Sequence, residues 1–417
     1  MKPEIRLPNQ FDRSGRDLGD AELGFLKDAI ESGCLICTRG KHTPAFEKAF
    51  AELYGVPYAR ALASGTAAVH VAVAAVDPQP GDEIITTPIT DFGALAPILY
   101  QGAVPVFADV DPVSLNITPE SVAARITPHT KAVVLAHLFG TAADVEGIIR
   151  VCQPHGIPVI EDAAQALLAH QNGRLLGTIG PIGCFSFQQG KHITCGEGGV
   201  VITSDFDLNR RMWLFTNKAW GYTDPGPDHW FLALNYRLTE LQGAVLRAQV
   251  AKLPSIVERR QTAAARLTEQ LARVEGITTP KILPGCDHTY WRYTVSVDPE
   301  AVPGGASALA KWLNTHGCSV NAHYVGKPAW KLKVFADRLT FGTSGWPWNN
   351  PSIDETSSPQ ARGVWDDSEF PGTFQGLERI IVIPWNEFFR EEHVDFIADR
   401  IANGVAAVRD AAKGAAA

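Results

Sequence analysis

Six short apolar runs punctuate the chain between residues 83 and 203, at 83–87, 104–108, 132–137, 158–161, 184–187 and 199–203. Helical stretches separate several of them, for example 144–152 ahead of the fourth run. That spacing predicts a mostly parallel sheet covered on both faces, an α/β fold. With 417 residues, 45% of them apolar and 20% charged, the chain is long enough for a second core beyond that sheet.

Lys191 sits in small and apolar surroundings, five positions after Ser186 and just before the glycine cluster Gly196-Glu197-Gly198-Gly199. Burial lowers a lysine's pKa, and a neutral amine condenses with an aldehyde. Ser186 can hold a phosphate, and the glycines allow close backbone approach. The competing reading is a strand ending in a Gly-rich turn with a surface lysine.

Three further segments bear on the choice. Ser64-Gly65-Thr66 opens an Ala/Val-rich helical run to about Val76, presenting free N–H groups and hydroxyls to an anion; an ordinary helix cap is the alternative. Residues 157–161 read as a short buried strand that delivers Asp162 at its carboxyl end, where open α/β sheets bind ligands. A carboxylate there can keep a pyridine nitrogen protonated, or simply cap the next helix. Asn235-Tyr236-Arg237-Leu238-Thr239-Glu240 is a polar loop running into a helix.

In this order these segments resemble the DegT/DnrJ/EryC1/StrS family of pyridoxal-phosphate (PLP) enzymes, most of which aminate keto-sugars or keto-cyclitols. The resemblance covers nearly the whole chain, through Gly33, Phe46-Glu47, Tyr54-Gly55-Val56-Pro57-Tyr58, Gly81-Asp82-Glu83-Ile84-Ile85, Pro105-Val106-Phe107-Ala108-Asp109-Val110-Asp111 and His137-Leu138-Phe139-Gly140. It implies PLP fold type I, the aspartate-aminotransferase architecture, with a large PLP-binding domain at 1–254 and a smaller C-terminal α+β domain at 255–417. It implies that Lys191 carries the cofactor and shuttles a proton, that Asp162 partners the pyridine nitrogen, and that Gln165 lies near the ring hydroxyl. Gly65, Thr66 and Ser186 match the phosphate cup. Asn235 matches a residue that reaches the phosphate from a partner subunit, which implies a homodimer with shared active sites.

One position departs from the pattern. The family sets a ring-stacking aromatic directly after the threonine of a Thr-Pro-x-Thr segment. Here Thr87-Pro88-Ile89-Thr90 is followed by Asp91, with Phe92 one place later. Phe92 is taken as the stacking residue, leaving Asp91 to face the substrate or the turn. The wording Gln188-Gln189-Gly190-Lys191 looks most like the branch holding glutamine-dependent aminotransferases of scyllo-inosose or 2-deoxy-scyllo-inosose, and 3-amino-5-hydroxybenzoate synthases. The expected activity is transfer of an amino group from glutamine or glutamate to a keto-sugar or keto-cyclitol. The alternatives are dehydration or aromatisation with the same cofactor, and a non-catalytic binding or regulatory role. The family's 3-dehydrases have histidine in place of this lysine, so Lys191 speaks against that subtype.

Composition excludes other classes. The net charge of −8 and the lack of basic runs give no case for nucleic acid or an anionic membrane. No apolar run reaches membrane-spanning length and no leader pattern opens the chain, so a cytoplasmic protein is expected. The 7 cysteines are odd in number and scattered, against a disulfide framework. Cys34 and Cys37 form a single Cys-x-x-Cys pair without the second pair that zinc needs, so no metal is expected. His137 ends the third run, either lining the ligand edge or packed as a satisfied ring.

The flanks read as follows. Asp20 caps a helix through Ile30, and Pro44 opens another through Leu53. A long helix begins around Pro254. Strands at 293–297 and 380–383 and helices at 307–316 and 391–408 make the small domain. Residues 338–376 form an aromatic-rich loop expected to pack near the substrate entrance. His323 and Tyr324 are candidate substrate contacts. The tail 411–417 reads as frayed.

Overall fold

The structure, a computed structural model, describes residues 5–222 and 224–416. Its centre is a seven-stranded sheet in the order Tyr58–Leu62, Gly199–Thr203, Ile182–Ser186, Val159–Asp162, Thr130–Ala136, Glu83–Thr86, Val104–Phe107. Only Gly199–Thr203 runs against its neighbours; the other pairings put six strands in one direction. All six expected runs are strands, displaced by at most two residues at an end. The strand Tyr58–Leu62 was not among the expected runs.

Adjacent side chains in a strand face opposite sides, so continuous apolar runs feed two cores. Ile84, Val134, Ile160, Ile182 and Val201 meet the helix Gly65–Ala75 on one face. Phe185, Val200 and Ile202 meet the helices His42–Tyr54 and Glu240–Leu271 on the other. The parallel strands therefore end on one edge, and that edge receives Asp162, Ser186 and the Ser64-Gly65 turn. Gly199 is indispensable there: a Cβ would stand 2.3 Å from the Ser64 carbonyl oxygen.

The long helix starts at Glu240, not near Pro254, and Pro254 lies inside it. Thr239 caps it, in a reciprocal box with Gln242. This 32-residue helix passes through position 254 and continues onto a second, antiparallel sheet. That sheet runs Ile277–Thr278, Arg292–Val297, Ile380–Pro384, Asn321–Ala322. Helices Gly305–Thr315 and Glu391–Ala416 cover it. The tail expected to fray continues the last helix to Ala416. Arg260, on the long helix, is fully buried and donates to Glu387 at 2.6 Å and to the carbonyls of Tyr290 and Trp385 at 3.0 Å. It ties the helix to both central strands of the small sheet.

The aromatic segment is not a surface excursion. Trp330, Phe335, Trp348 and Phe370 form a core with Leu95, Leu99, Val104 and Phe107, against the edge strand of the large sheet. Its last residues enter the helix Pro371–Arg379. Gln360 treats the edge as a neighbouring strand would, accepting from the Phe107 N–H at 2.7 Å and donating to its carbonyl at 3.0 Å. Replacing Gln360 by Ala leaves both buried backbone groups unpaired. We expect a stability loss of about 2–4 kcal/mol in urea unfolding, from two orphaned groups at ~1–3 kcal/mol each.

Candidate active site

Lys191 and Asp162 meet at the sheet's carboxyl edge. Burial lowers the Lys191 amine to about 8, against the opposing pull of Asp162 and Asp91, and Arg292 lowers it further. Burial raises the Asp162 carboxyl, opposed by a hydrogen bond from the Ala164 N–H at 3.1 Å and by the charges of Lys191 and His137. The two groups feel each other without forming a direct ion pair.

The loop carrying Lys191 is fixed from its own side and from the N-terminus. Gln188 Oε1 accepts from the Gly190 N–H at 2.7 Å. Arg16 donates to the carbonyl of Lys191 at 2.8 Å and also to that of Gln189. Trp291 Nε1 donates to the Gly190 carbonyl at 2.7 Å, and the Lys191 amine lies 4.5 Å from the centre of the Trp291 ring.

Gly65, Thr66 and Ser186 come together as expected. Ser64 caps the helix Gly65–Ala75 through Ala67, while the first N–H groups of the helix remain without intrahelical partners. A Cβ on Gly65 would stand 2.6 Å from Ser186 Cβ, and one on Gly93 would stand 2.4 Å from Thr66 Oγ1. The space around this turn exists only because both positions are glycine. Free N–H groups, two hydroxyls and a helix N-terminus suit an anion such as a phosphate.

Gln165 accepts from the Phe139 N–H at 2.7 Å and turns its amide nitrogen to the Tyr324 hydroxyl at 3.4 Å. Burial pushes the Tyr324 hydroxyl up to about 12, and its charged neighbours include Asp91, Arg292 and Asp162, so Tyr324 faces the site. Its neighbour His323 does not: its ring nitrogens engage the Leu377 carbonyl and Ser307, at 2.8 and 2.7 Å. Asp91 accepts from the Gly93 N–H at 2.8 Å while its charge reaches Lys191. Phe92 is 40% exposed and packs edge-on against Phe335, with ring centres 6.2 Å apart. The aromatic ring beside Lys191 is that of Trp291. Asn235 is exposed, and among the described residues its side chain accepts only from the nearby Arg237 N–H, at 3.3 Å. His137 is packed and satisfied, accepting at Nδ1 from the Ala143 N–H and donating from Nε2 to Glu161 at 3.0 Å.

Sequence reasoning missed Trp291, Arg292, Gln10, Arg16 and Glu161. Trp291 and Arg292 open the strand that was placed at 293–297. Glu161 is wholly buried and accepts from the N–H groups of Gly177, Ile179 and Gly180 at 2.6–2.7 Å, holding the turn beneath Asp162. All seven cysteines are free thiols. Among the described residues no cluster could hold a metal, and no helix is long and apolar enough to cross a membrane.

A partly buried amine, a partly buried carboxylate and an anion-friendly helix start meet at one edge of a mostly parallel sheet, and these residues fit PLP on a fold of type I. The chain belongs to the DegT/DnrJ/EryC1/StrS aminotransferase family, which it matches over residues 16–347. It is thus a PLP-dependent aminotransferase by family. It is 37% identical to the GDP-perosamine synthase of Caulobacter vibrioides over 263 residues, 62% of this chain and 70% of that one. An aminotransferase from Psychrobacter cryohalolentis superposes with a TM-score of 0.82 at 28% identity, covering 95% of this chain and 99% of the other. A 3-amino-5-hydroxybenzoic acid synthase gives 0.80 at 26%, covering 94% and 98%.

Two outcomes test the site. Gly65→Ala places a methyl in the Ser64-Gly65 turn; PLP affinity, titrated by absorbance, should fall at least about tenfold with the fold intact, the scale of 1.4 kcal/mol. Only the neutral amine captures an aldehyde, so the rate of PLP uptake by cofactor-free protein should rise as pH passes about 8. An ordinary lysine would place that rise more than two pH units higher.

Proposed function

We propose that the protein transfers the amino group of glutamine or glutamate to the keto group of a sugar or cyclitol. The observation that carries this is the partly buried Lys191 amine, within reach of the Asp162 charge and at the same sheet edge as the Ser64-Gly65 turn. The acceptor class is supported by the likeness to a GDP-perosamine synthase and by the Gln188-Gln189-Gly190-Lys191 wording.

PLP, when bound, supplies an electron sink for the carbon that loses its proton. Lys191 would hold it covalently, Asp162 would hold its ring nitrogen protonated, and Gly65, Thr66 and Ser186 would hold its phosphate. With PLP bound, Lys191 Nζ would be the base that takes the proton from the donor α-carbon and the acid that returns it. Its lowered pKa suits both roles near neutral pH. Burial raises the Asp162 carboxyl, and the Ala164 N–H and the Lys191 charge oppose that rise. Tyr324, kept neutral by burial, offers a hydroxyl to a polar acceptor.

The active unit in this reading is a homodimer in which Asn235 of each subunit reaches the other's phosphate cradle. Asn235 lies on an exposed stretch with Trp230, Leu232 and Leu234, which are 57, 94 and 46% exposed. Such an apolar surface calls for a partner. Sedimentation should give twice the 45.1 kDa chain mass. A second reading, dehydration and aromatisation, draws on the likeness to the 3-amino-5-hydroxybenzoic acid synthase.

The test is transfer of label from α-15N-glutamine and α-15N-glutamate to a panel of keto-cyclitols and nucleotide keto-sugars, read by mass spectrometry. The expected result is one labelled amine, with transfer by Lys191→Ala lower by at least about 10³-fold, the loss of both base and covalent anchor. Substantial transfer by that variant, or an unlabelled aromatic product, contradicts the reading.

A further inference from the structure

Three arginines lie in the wall behind Lys191, and two of them are accounted for. Arg260 is paired with Glu387. Arg16 spends its donors on the carbonyls of Gln10, Gln189 and Lys191. Arg292 is different. Its Nη1 reaches Gln10 Oε1 at 2.7 Å and the Trp291 carbonyl at 3.3 Å, while Nε and Nη2 make no hydrogen bond among the described residues. No carboxylate among them lies within ion-pair distance of it. The other charges it feels are Arg260, Arg16 and the Tyr324 hydroxyl, and burial lowers it only to about 10, so it stays protonated. Arg292 is only partly buried, and the free edge of its guanidinium matches a carboxylate in a two-point contact.

The position of that edge identifies the anion. Arg292 Cζ lies 4.4 Å, and Lys191 Nζ 4.5 Å, from the centre of the same Trp291 ring. Arg292 Nη2 faces the lysine loop, 3.8 Å from where a Cβ on Gly190 would be. An α-amino acid carries its carboxylate on the carbon that bears its amine. The charge of Arg292 reaches Lys191 Nζ, where that amine would stand.

We propose that Arg292 binds the α-carboxylate of the amino donor, oriented by Gln10 and Trp291. The proposal rests on the reading of the donor as an α-amino acid. Arg292 is a binding residue that selects amino acids over other amines. A phosphate of the acceptor offers similar oxygens, and the donor half-reaction, run without acceptor, separates the two.

The experiment compares PLP-loaded wild type, Arg292→Gln and Arg292→Lys with L-glutamine and with 4-aminobutanamide, which is glutamine without its α-carboxylate. Loss of the visible absorbance of lysine-bound PLP gives the rate. With L-glutamine, Arg292→Gln should be slower by about 100-fold, the usual scale for removing one member of a buried charge pair. Arg292→Lys should fall between, because it keeps the charge and loses the fork. With 4-aminobutanamide the three proteins should agree within about threefold, the ordinary context dependence of a removed polar contact. Calorimetric titration with glutarate, an unreactive dicarboxylate, should show binding to wild type that Arg292→Gln loses. Equal glutamine rates in wild type and Arg292→Gln would overturn the proposal alone. So would an equal fall with both amines, which marks a structural role. A loaded wild type that reacts with neither glutamine nor glutamate would overturn the amino-acid donor reading itself, and this proposal with it.

Discussion

The structure turns on holding a partly buried amine and a partly buried carboxylate close to one another without letting them close into an ion pair. Lys191 and Asp162 are both partly buried at the carboxyl edge of the sheet, and each favours the charged form of the other against the cost of burial. A direct pair would quench the amine's reactivity. The separation is held by backbone: the Ala164 N–H anchors the carboxylate, and the lysine loop is bonded through Gln188 and Arg16. The strand below Asp162 is held by Glu161, whose carboxylate collects three N–H groups and the His137 ring.

The same constraint explains why the N-terminal segment and the small sheet take part. Arg16, from before the first long helix, reaches across to the lysine loop, and Gln189 Nε2 answers by donating to the Gln10 carbonyl at 2.8 Å. Trp291 and Arg292 come from the second sheet, whose position Arg260 fixes through Glu387 and the Tyr290 and Trp385 carbonyls. A lysine loop built by the large sheet is thus braced by residues remote in sequence. Such bracing pre-organises a site at the cost of burying several guanidinium groups.

The sheet was legible in the sequence because strands buried on both faces are continuous apolar runs. Tyr58–Leu62 was not, since an edge strand of sequence Tyr-Ala-Arg-Ala-Leu has no such run and follows a helix directly. The start of the long helix was displaced because Pro254 reads as a helix opening, whereas Thr239 and Gln242 cap it 15 residues earlier. Lys191, Asp162, Gly65, Thr66, Ser186 and Gln165 stood out as candidates because each lies at, or within five residues of, a strand end or helix start. Trp291 and Arg292 were not, because their role comes from the docking of the second sheet, which no local pattern encodes. His323 and Tyr324 are adjacent, yet the backbone turns one ring to the Leu377 carbonyl and the other to Gln165.

The most direct measurement is the absorbance spectrum of the purified, PLP-loaded protein before and after L-glutamine or L-glutamate. The account predicts a visible band from PLP held by Lys191, replaced on addition of the amino acid by the near-ultraviolet band of the aminated cofactor. A visible band that neither amino acid changes would contradict the assignment of the donor, and the absence of any band would contradict the assignment of Lys191 and Asp162 to the cofactor.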